Sequence, residues 1–330
     1  MNQFFADQID QLDLAIDQLA VRDRNFDRFA LMLVDNVVEL VLHQHAKGQV
    51  MMGRDLESHD KPMPEWKTAV AATGQSFDAK VRYARLTAMI PAATADSIQY
   101  LHSFRNSAYH QGSRHEGILH SLAVLYLRAA CAVLSAYEPV LYSMYSGDKI
   151  SHRAVKYLGK PDLLGRKDAF VRAFARLTEV ADSLGENLID DLQADMLSTI
   201  EQVDHWLDFI SENDPDHPSR DEAVRRCQAW PCAWTEKAKD FAKANGCKAS
   251  NMGEYVEWLG HNYNWQVKTD PISSWKKRHN SLSEEKNKDA ALKKYCDFMK
   301  QTEEFREALD ESVLQLDGYI QEQIDLARGK

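Results

Sequence analysis

Turn-forming residues are scarce in this chain of 330 residues, which holds only 14 glycines and 9 prolines. Because these residues punctuate folds built from many short strands, their scarcity favours long helices. The sequence contains no run of 18 uncharged apolar residues, and its acidic start, MNQFFADQIDQLD, lacks the basic flank and apolar core of a signal peptide. We therefore expect an all-α, soluble, cytoplasmic protein with no membrane partner.

Cysteine is rare as well, and the five present are odd in number and scattered, which suits a reducing compartment better than a disulfide framework. Three of them, between residues 227 and 247, lack a fourth ligand at zinc-finger spacing. His43 and His45 stand two apart and His115 and His120 five apart, whereas two ligands on one helix face stand three or four apart. The sequence therefore predicts no metal site and no cofactor.

Positive charge is in deficit, since the formal net charge is −10 at pH 7. Affinity for phosphates comes from clustered lysines and arginines, so this charge excludes bulk, non-specific nucleic-acid binding and leaves only a local site. One stretch reverses the sign, with three arginines and four histidines against a single acid. Its members are Arg105, Arg114, Arg128, His102, His110, His115 and His120, with Glu116 as the acid.

Apolar periodicity predicts the helices. The strongest pattern covers residues 23–47, with Gly48 as its stop and a loop over residues 48–64. A stretch rich in glycine, proline and charge at residues 146–165 is typical of a joint between domains. Further helices are expected at residues 77–89, 94–110, 114–137, 166–184, 187–211, 219–244 with a break near Pro231, 251–262 and 284–328, the last with an apolar stripe able to pack on its own domain or on a partner.

The segment FRNSAYHQGSRHEG separates two of these helices. Ser113 and Glu116 form the S-x-x-E pattern of a capping box, so His110 is expected at a helix-helix corner. Arg105 and His110 would point about 140° apart on a straight helix, but they can converge at a corner. Asn106, one turn before His110, can orient the imidazole or a phosphate. An arginine fork beside an imidazole suits phosphate chemistry, and a purely structural turn is the alternative.

The string LHSFRNSAYHQG resembles the Arg-x4-6-His motif of the HEPN superfamily (higher eukaryote and prokaryote nucleotide-binding domains), in which asparagine often follows the arginine. The preceding FALMLVDNVVELVLH is similar to the first long helix of that family, with Glu39 at an often polar, site-facing position. The resemblance covers about residues 20–145. It implies a HEPN-like antiparallel helical bundle at residues 1–147, followed by a helical domain of unknown role at residues 148–330.

Many HEPN proteins are metal-independent ribonucleases whose active site is shared across a two-fold dimer. Carried over, the resemblance implies that Arg105 binds the scissile phosphate and stabilises transition-state charge. His110 would act as general acid or base, with its dimer mate in the other role, and Asn106 would position these groups. A ribose 2′-hydroxyl would attack its own phosphate and leave a 2′,3′-cyclic phosphate. The implied RNA contacts are Tyr109, Arg114 and His115, for which packing or a solvated surface is the alternative.

Three functions remain open at this stage: a ribonuclease acting on RNA as a homodimeric toxin or antiphage defence effector, a non-catalytic HEPN module that binds a nucleotide or a partner and dimerises, and a helical scaffold. A regulatory partner protein or antitoxin is compatible with the first. However, Gly112 stands where some toxins of the family carry the tyrosine that their antitoxin modifies. The six tryptophans between residues 206 and 275 suit base stacking, but their mostly helical spacing favours core packing.

Overall fold

The computed structural model describes residues 2–57, 65–111, 116–139, 149–159 and 167–329. These residues form helices and no strands, so the all-α prediction is confirmed. A 3-10 helix, Glu116–Ile118, precedes α6. The α-helices are α1 (Asn2–Ala20), α2 (Arg24–Glu57), α3 (Trp66–Ala72), α4 (Phe77–Leu86), α5 (Ala92–Gln111), α6 (Leu119–Ala136), α7 (His152–Leu158), α8 (Lys167–Ser183), α9 (Leu188–Asn213), α10 (Arg220–Cys232), α11 (Glu236–Ala244), α12 (Met252–Asn262), α13 (Ile272–Ser283) and α14 (Lys288–Ala327).

The chain divides into two compact units. Unit 1 comprises Met1–Leu192 with Lys286–Lys293, and unit 2 comprises Gln193–Glu285 with Lys294–Lys330. The units therefore divide later in the chain than the predicted boundary between residues 147 and 148. The reason is that α7, which lies inside the predicted joint, and α8, which follows it, pack within unit 1, α7 against α1 and α8 against both α1 and α6.

Helix α2 is the centre of unit 1, where α1, α3, α4, α5 and α6 all pack against it. Its buried stripe includes Ala30, Val34, Val37 and Val41, which recur at three- and four-residue intervals. Phe29 belongs to the apolar pattern of the sequence but remains 55% exposed. The face that enters the core is therefore narrower than the apolar periodicity alone suggests.

The prediction that α2 stops at Gly48 is wrong, because the helix continues to Glu57. Ala46 and Val50, on either side of the glycine, are buried in one cluster with α3 and α4, including Tyr83. Glycine inside a helix costs only about 1 kcal/mol, and burial of this face outweighs that cost. The predicted loop is thus helical up to Glu57, and its residues 58–64 lie outside the described residues.

Helix α6 is buried on nearly all sides, as predicted from apolar positions that run nearly all round it. Every residue from Leu119 to Leu127 other than His120 is buried. Among the described residues, the segment Glu116–Ala136 is long and apolar enough to cross a membrane, but 72% of its apolar window is buried inside the protein. Such burial is typical of the core helix of a soluble protein.

The remaining helices match the sequence patterns in part. The predicted break near Pro231 occurs just after it, since α10 ends at Cys232 and α11 begins at Glu236. Four of the described helices, α1, α3, α7 and α13, were not predicted. Helices α3, α7 and α13 are short and have no long apolar period. Helix α1 is longer and buries Phe5, Ile9, Leu12 and Ile16 at helical spacing, a period that sequence reasoning missed. In α14 the predicted stripe is buried at Phe305 and Leu309, while toward its end it becomes exposed.

Candidate functional site

A buried carboxylate connects three helices of unit 1. Asp35 of α2 is only 1% exposed and accepts two hydrogen bonds at Oδ1, from the Tyr126 hydroxyl of α6 at 2.7 Å and from Nδ1 of His102 of α5 at 2.8 Å. Its other oxygen, Oδ2, forms an ion pair with Nε of Arg105, also on α5, at 3.4 Å. We call Asp35, His102, Arg105 and Tyr126 the Asp35 cluster.

The local sequence explains this arrangement. Asp35 follows Val34 and precedes Val37 and Val38 on the buried face of α2, so the helix carries its carboxylate into the core. An isolated buried carboxylate is strongly unfavourable, and it persists only with hydrogen-bond donors and a compensating cation. His102 and Arg105 are three residues apart on α5, a spacing that places both side chains on one helix face.

Tyr126 is a permanent donor in this cluster. Its side chain is fully buried, and burial first, followed by the negative charge of Asp35, raises the pKa of Tyr126 well above its ordinary value. The phenol therefore keeps its proton at physiological pH and donates to the carboxylate. The acceptor Oδ1 of Asp35 is fixed by this bond from one side and by His102 from the other.

Arg105 connects the cluster to the surface. Its side chain remains 34% exposed, and Nη1 donates to Oδ1 of the neighbouring Asn106 at 2.9 Å. Asp35 therefore compensates the guanidinium from beneath, and Asn106 restrains it laterally. A fork held in this way can present donors to an anion without an ordering step at the moment of binding.

His102 is also restrained on its ring face. The Phe77 ring at the start of α4 stacks on the imidazole with centroids 3.7 Å apart and an interplanar angle of 5°. The side chain is 19% exposed, so the ring is largely but not completely covered. Its hydrogen bond and its stacking partner together define the direction of Nε2.

Glu39, predicted as a supporting residue of the site, lies on α2 one turn after Asp35 and thus on the same face. Its partner is Lys80 of α4, whose Nζ lies 3.0 Å from Oε1. Lys80 is buried. The pKa of His43, one turn further along α2, is lowered first by the burial of His43 and second by the positive charge of Lys80. Two ion pairs therefore follow each other along this face of α2, one between Asp35 and Arg105 and one between Glu39 and Lys80.

The structure brings Arg105 and Asn106 together, whereas other predicted residues are not all described. His110 and Tyr109 belong to the last turn of α5, but their side chains lie outside the described residues. Arg114 and His115 also lie outside them, as do Gly112 and Ser113 of the predicted corner. Glu116, expected to close a capping box with Ser113, pairs with Arg24 and Arg28 at 2.7 and 3.2 Å.

A second histidine-carboxylate pair lies elsewhere in unit 1. Nδ1 of His120 on α6 is 2.9 Å from Oδ1 of Asp27 on α2, and Nε2 of His120 is buried without a hydrogen-bond partner. The pair borders a polar cavity of about 250 Å³, whose lining also includes Arg22, Ser121 and Asp191. No group of three or more histidine, cysteine, aspartate or glutamate side chains suited to a metal ion occurs among the described residues.

The positive stretch seen in the sequence is partly neutralised in the structure. Arg128 pairs with Asp182 at 2.7 Å and with the buried Glu186 at 2.8 Å, so it joins α6 to the region between α8 and α9. Arg105 is compensated by Asp35, although it stays partly exposed. Sequence proximity alone therefore overstated the free positive charge in this region.

The tryptophans of unit 2 are divided between core and surface. Trp275 is buried, and Trp258 and Trp265 pack on the cluster of α10, α11 and α12, whereas Trp230 and Trp234 are exposed. This division supports the core-packing interpretation for three of the six tryptophans. Residues 274–281, SWKKRHNS, form a short basic segment of unit 2. Lys276 pairs with Asp204 and Arg278 lies over the Phe298 ring, so part of the positive charge of this segment is engaged.

The five cysteines are free thiols, and Cys131, Cys227 and Cys296 are buried. Burial raises the pKa of the Cys131 and Cys227 thiols to about 12. Both thiols are therefore protonated and unreactive at neutral pH.

Sequence reasoning identified Arg105 and Asn106 but missed Asp35, His102 as its partner, and Tyr126. One signal was present, because a single aspartate inside the apolar run LMLVDNVVEL predicts a buried carboxylate that needs partners. Comparisons with known proteins add no assignment: no family model matches the chain, and no curated protein or solved structure is significantly similar to it.

Proposed function

We propose that this protein is a metal-independent, HEPN-type endoribonuclease that cleaves RNA through its own 2′-hydroxyl groups. The observation that carries the proposal is the position of Arg105, whose guanidinium is anchored to the buried Asp35 yet remains one-third exposed, five residues before His110. An ordered, partly exposed arginine near the end of a helix, followed by a histidine, provides the two groups that RNA transesterification requires.

In this reaction Arg105 binds the non-bridging oxygens of the scissile phosphate and stabilises the charge that grows on them in the transition state. Asn106, which accepts a hydrogen bond from Arg105, keeps the guanidinium in place. His110 exchanges a proton with the reacting oxygens. The products are a 2′,3′-cyclic phosphate and a free 5′-hydroxyl, so the substrate is RNA and not DNA.

The resemblance to HEPN proteins extends the proposal to the assembly and its setting. Two copies of the chain form a dimer, and Tyr109, Arg114 and His115 contact the RNA near the site. We assign the protein to the cytoplasm as a toxin or antiphage effector, under the control of a trigger or partner protein. No cofactor has a role in this scheme.

The direct test is incubation of the purified chain with single-stranded RNA in EDTA, with cleavage followed by gel electrophoresis and product ends by mass spectrometry. Wild type should yield 2′,3′-cyclic phosphate ends, and Arg105→Ala and His110→Ala should each lose activity by roughly 10²-fold or more. Arg85→Ala is a matched control, since Arg85 forms an exposed ion pair with Asp96 outside the Asp35 cluster. Cleavage that requires an added metal ion, or that survives in both site variants, would contradict the proposal.

A second candidate function is a non-catalytic module that binds a nucleotide. The observation in its favour is the ion pair between Asp35 and Arg105, because an arginine that only binds a ligand can be held by a carboxylate in the same way. This function predicts that wild type binds 5′-AMP with loss of binding in Arg105→Ala, while no RNA is cleaved. Isothermal titration with 5′-AMP beside the cleavage assay separates the two functions.

A further inference from the structure

We propose that His102 is the general base of this site, the group that takes the proton from the attacking 2′-hydroxyl. The proposal rests on the proposed ribonuclease function and adds a catalytic residue that lies outside the Arg-x4-His motif. It also specifies the role of His110, which becomes the general acid.

The contact with Asp35 determines which nitrogen of the His102 ring carries the hydrogen. Nδ1 of His102 lies 2.8 Å from Oδ1 of Asp35. Because an ionised carboxylate can only accept, Nδ1 must carry the hydrogen and donate it. In the neutral imidazole, Nε2 then holds the free lone pair that a base requires. The same carboxylate stabilises the imidazolium that forms after proton transfer.

Solvent also has access to the Nε2 side of the His102 ring. His102 Nε2 has no hydrogen-bond partner among the described residues. It is also absent from the set of buried side-chain atoms without a partner, so the atom is not fully buried. The ring is 19% exposed, so this nitrogen reaches solvent while Phe77 covers the ring face. A substrate hydroxyl can therefore approach Nε2 without displacing any protein group that the structure describes.

His102 is also a neighbour of Arg105, the proposed phosphate-binding residue. His102 and Arg105 are three residues apart on α5, and each contacts a different oxygen of Asp35. One buried carboxylate thus orients both the base and the phosphate-binding group. A phosphate held by the exposed part of Arg105 would lie on the face of α5 that also carries the imidazole, where the ring could take a proton from the adjacent ribose.

The His120–Asp27 pair provides an internal comparison. It has the same Nδ1-to-carboxylate contact, at 2.9 Å, and a similar exposure of 18% for the imidazole side chain. Its Nε2, however, is buried without a partner. This pair has the orienting acid, but its Nε2 does not reach solvent even though the pair borders a polar cavity, so it serves as a structural control for His102.

The chemical step balances as follows. Nε2 of His102 takes the 2′-hydroxyl proton while the 2′-oxygen forms its bond to phosphorus. The bond from phosphorus to the 5′-oxygen breaks, and the 5′-oxygen receives a proton from protonated His110. His102 ends protonated and His110 neutral, and exchange with water restores both.

The experiment compares His102→Asn, His102→Ala and His120→Asn in the EDTA cleavage assay, with thermal melting of each variant. Asparagine retains an N–H donor for Asp35 but has no base. We expect His102→Asn to melt near wild type and to lose roughly 10²- to 10⁴-fold in cleavage rate. His120→Asn should cleave within a few-fold of wild type. Added imidazole should restore part of the activity of His102→Ala, as free base replaces the missing ring.

The outcomes separate this proposal from the proposed function. If wild type cleaves, Arg105→Ala is inactive and His102→Asn cleaves at the wild-type rate, His102 is not the base and the ribonuclease assignment stands. If the His102 variants lose activity together with a lower melting temperature, and imidazole restores nothing, the ring is structural and the proposal is overturned. Absence of cleavage by wild type overturns both.

Discussion

Asp35 has an unusual position for a charged residue, since valines flank it on the buried face of α2 and only 1% of it is exposed. Three side chains from two other helices contact it, and two of them are the cationic or titratable groups of the candidate site. Its carboxylate therefore joins α2 to α5 and α6 and fixes the direction of both Arg105 and His102, and this positioning is its role in the proposed function.

Replacement of this carboxylate separates its charge from its shape. In Asp35→Asn the amide fills the same volume but no longer compensates Arg105, and it can donate where His102 requires an acceptor. We expect the cleavage rate to fall by roughly 100-fold or more, and the free energy of unfolding to fall by about 2–3 kcal/mol, because hydrogen bonds to a buried charge are lost. Cleavage assays and urea denaturation measure the two effects.

Tyr126→Phe is the control for this prediction, because it removes one donor to Asp35 and leaves the contacts of Arg105 and His102 in place. It should destabilise by about 1 kcal/mol and cleave within a few-fold of wild type. An Asp35→Asn variant as active as wild type would contradict the positioning role of Asp35. Equal loss of activity in both variants would attribute the effect to stability alone.

At the scale of elements, the apolar period predicted the long helices other than α1, because burial of one face determines where they form. It misjudged the end of α2, since the contacts of Ala46 and Val50 with α3 and α4 are tertiary and leave no signal in the local pattern. The site follows the same division. Arg105 and Asn106 are neighbours in one string, whereas Asp35 and Tyr126 come from other helices, and only packing brings them to α5.

The packing of α7 on α1 explains why unit 1 extends beyond the predicted joint. Asp13 of α1 is buried and accepts hydrogen bonds from Tyr157 at 2.6 Å, Lys156 at 2.9 Å and Arg153 at 2.6 Å, all on α7. Burial raises the pKa of Asp13, but these three donors together outweigh burial and lower the pKa below its ordinary value of 3.8. The ionised form of Asp13 is thus the form that holds α7.

This shift predicts a stability contribution that depends on pH. A carboxyl whose pKa is lower in the folded state stabilises the fold above its unfolded pKa, and the contribution disappears as pH falls through the folded pKa. Asp13→Asn should lower the free energy of unfolding by about 1–2 kcal/mol at pH 7, a value discounted for the exposure of Arg153 and Lys156. The difference from wild type should shrink as pH falls below 3.8. Urea denaturation across this range measures it.

Asp17→Asn is the matched control for Asp13, because Asp17 is half exposed and pairs with Arg153 in the same region at 2.6 Å. An exposed pair contributes little, so the control should change the free energy of unfolding by no more than about 0.5 kcal/mol at pH 7. A difference between Asp13→Asn and wild type that stays constant from pH 7 to well below 3.8 would show that the charge of Asp13 does not hold α7.

For the whole molecule, the net charge of −10 opposes contact with RNA, and the internal pairing of arginines strengthens this effect. Arg128 is engaged by two acids and therefore contributes little to phosphate binding. Arg24 and Arg28 both pair with Glu116, which neutralises one of their two charges. A ribonuclease with this charge distribution, as we propose, would bind RNA through few phosphates. It is therefore expected to have low affinity for bulk RNA and to act at exposed single-stranded sites.

The salt dependence of RNA binding tests this view of the molecule. For single-stranded RNA the logarithm of affinity falls with the logarithm of salt concentration by about 0.7 per phosphate neutralised. With Arg105 contributing one such contact in each protomer, Arg105→Ala should reduce this slope by about 1.4 in a dimer. The measurement uses a 2′-O-methyl RNA, which lacks the nucleophile and cannot be cleaved, in fluorescence anisotropy between about 50 and 200 mM salt. Arg85→Ala should leave the slope unchanged, because its exposed pair with Asp96 lies outside the site. A slope that Arg105→Ala does not alter would show that Arg105 does not contact phosphate.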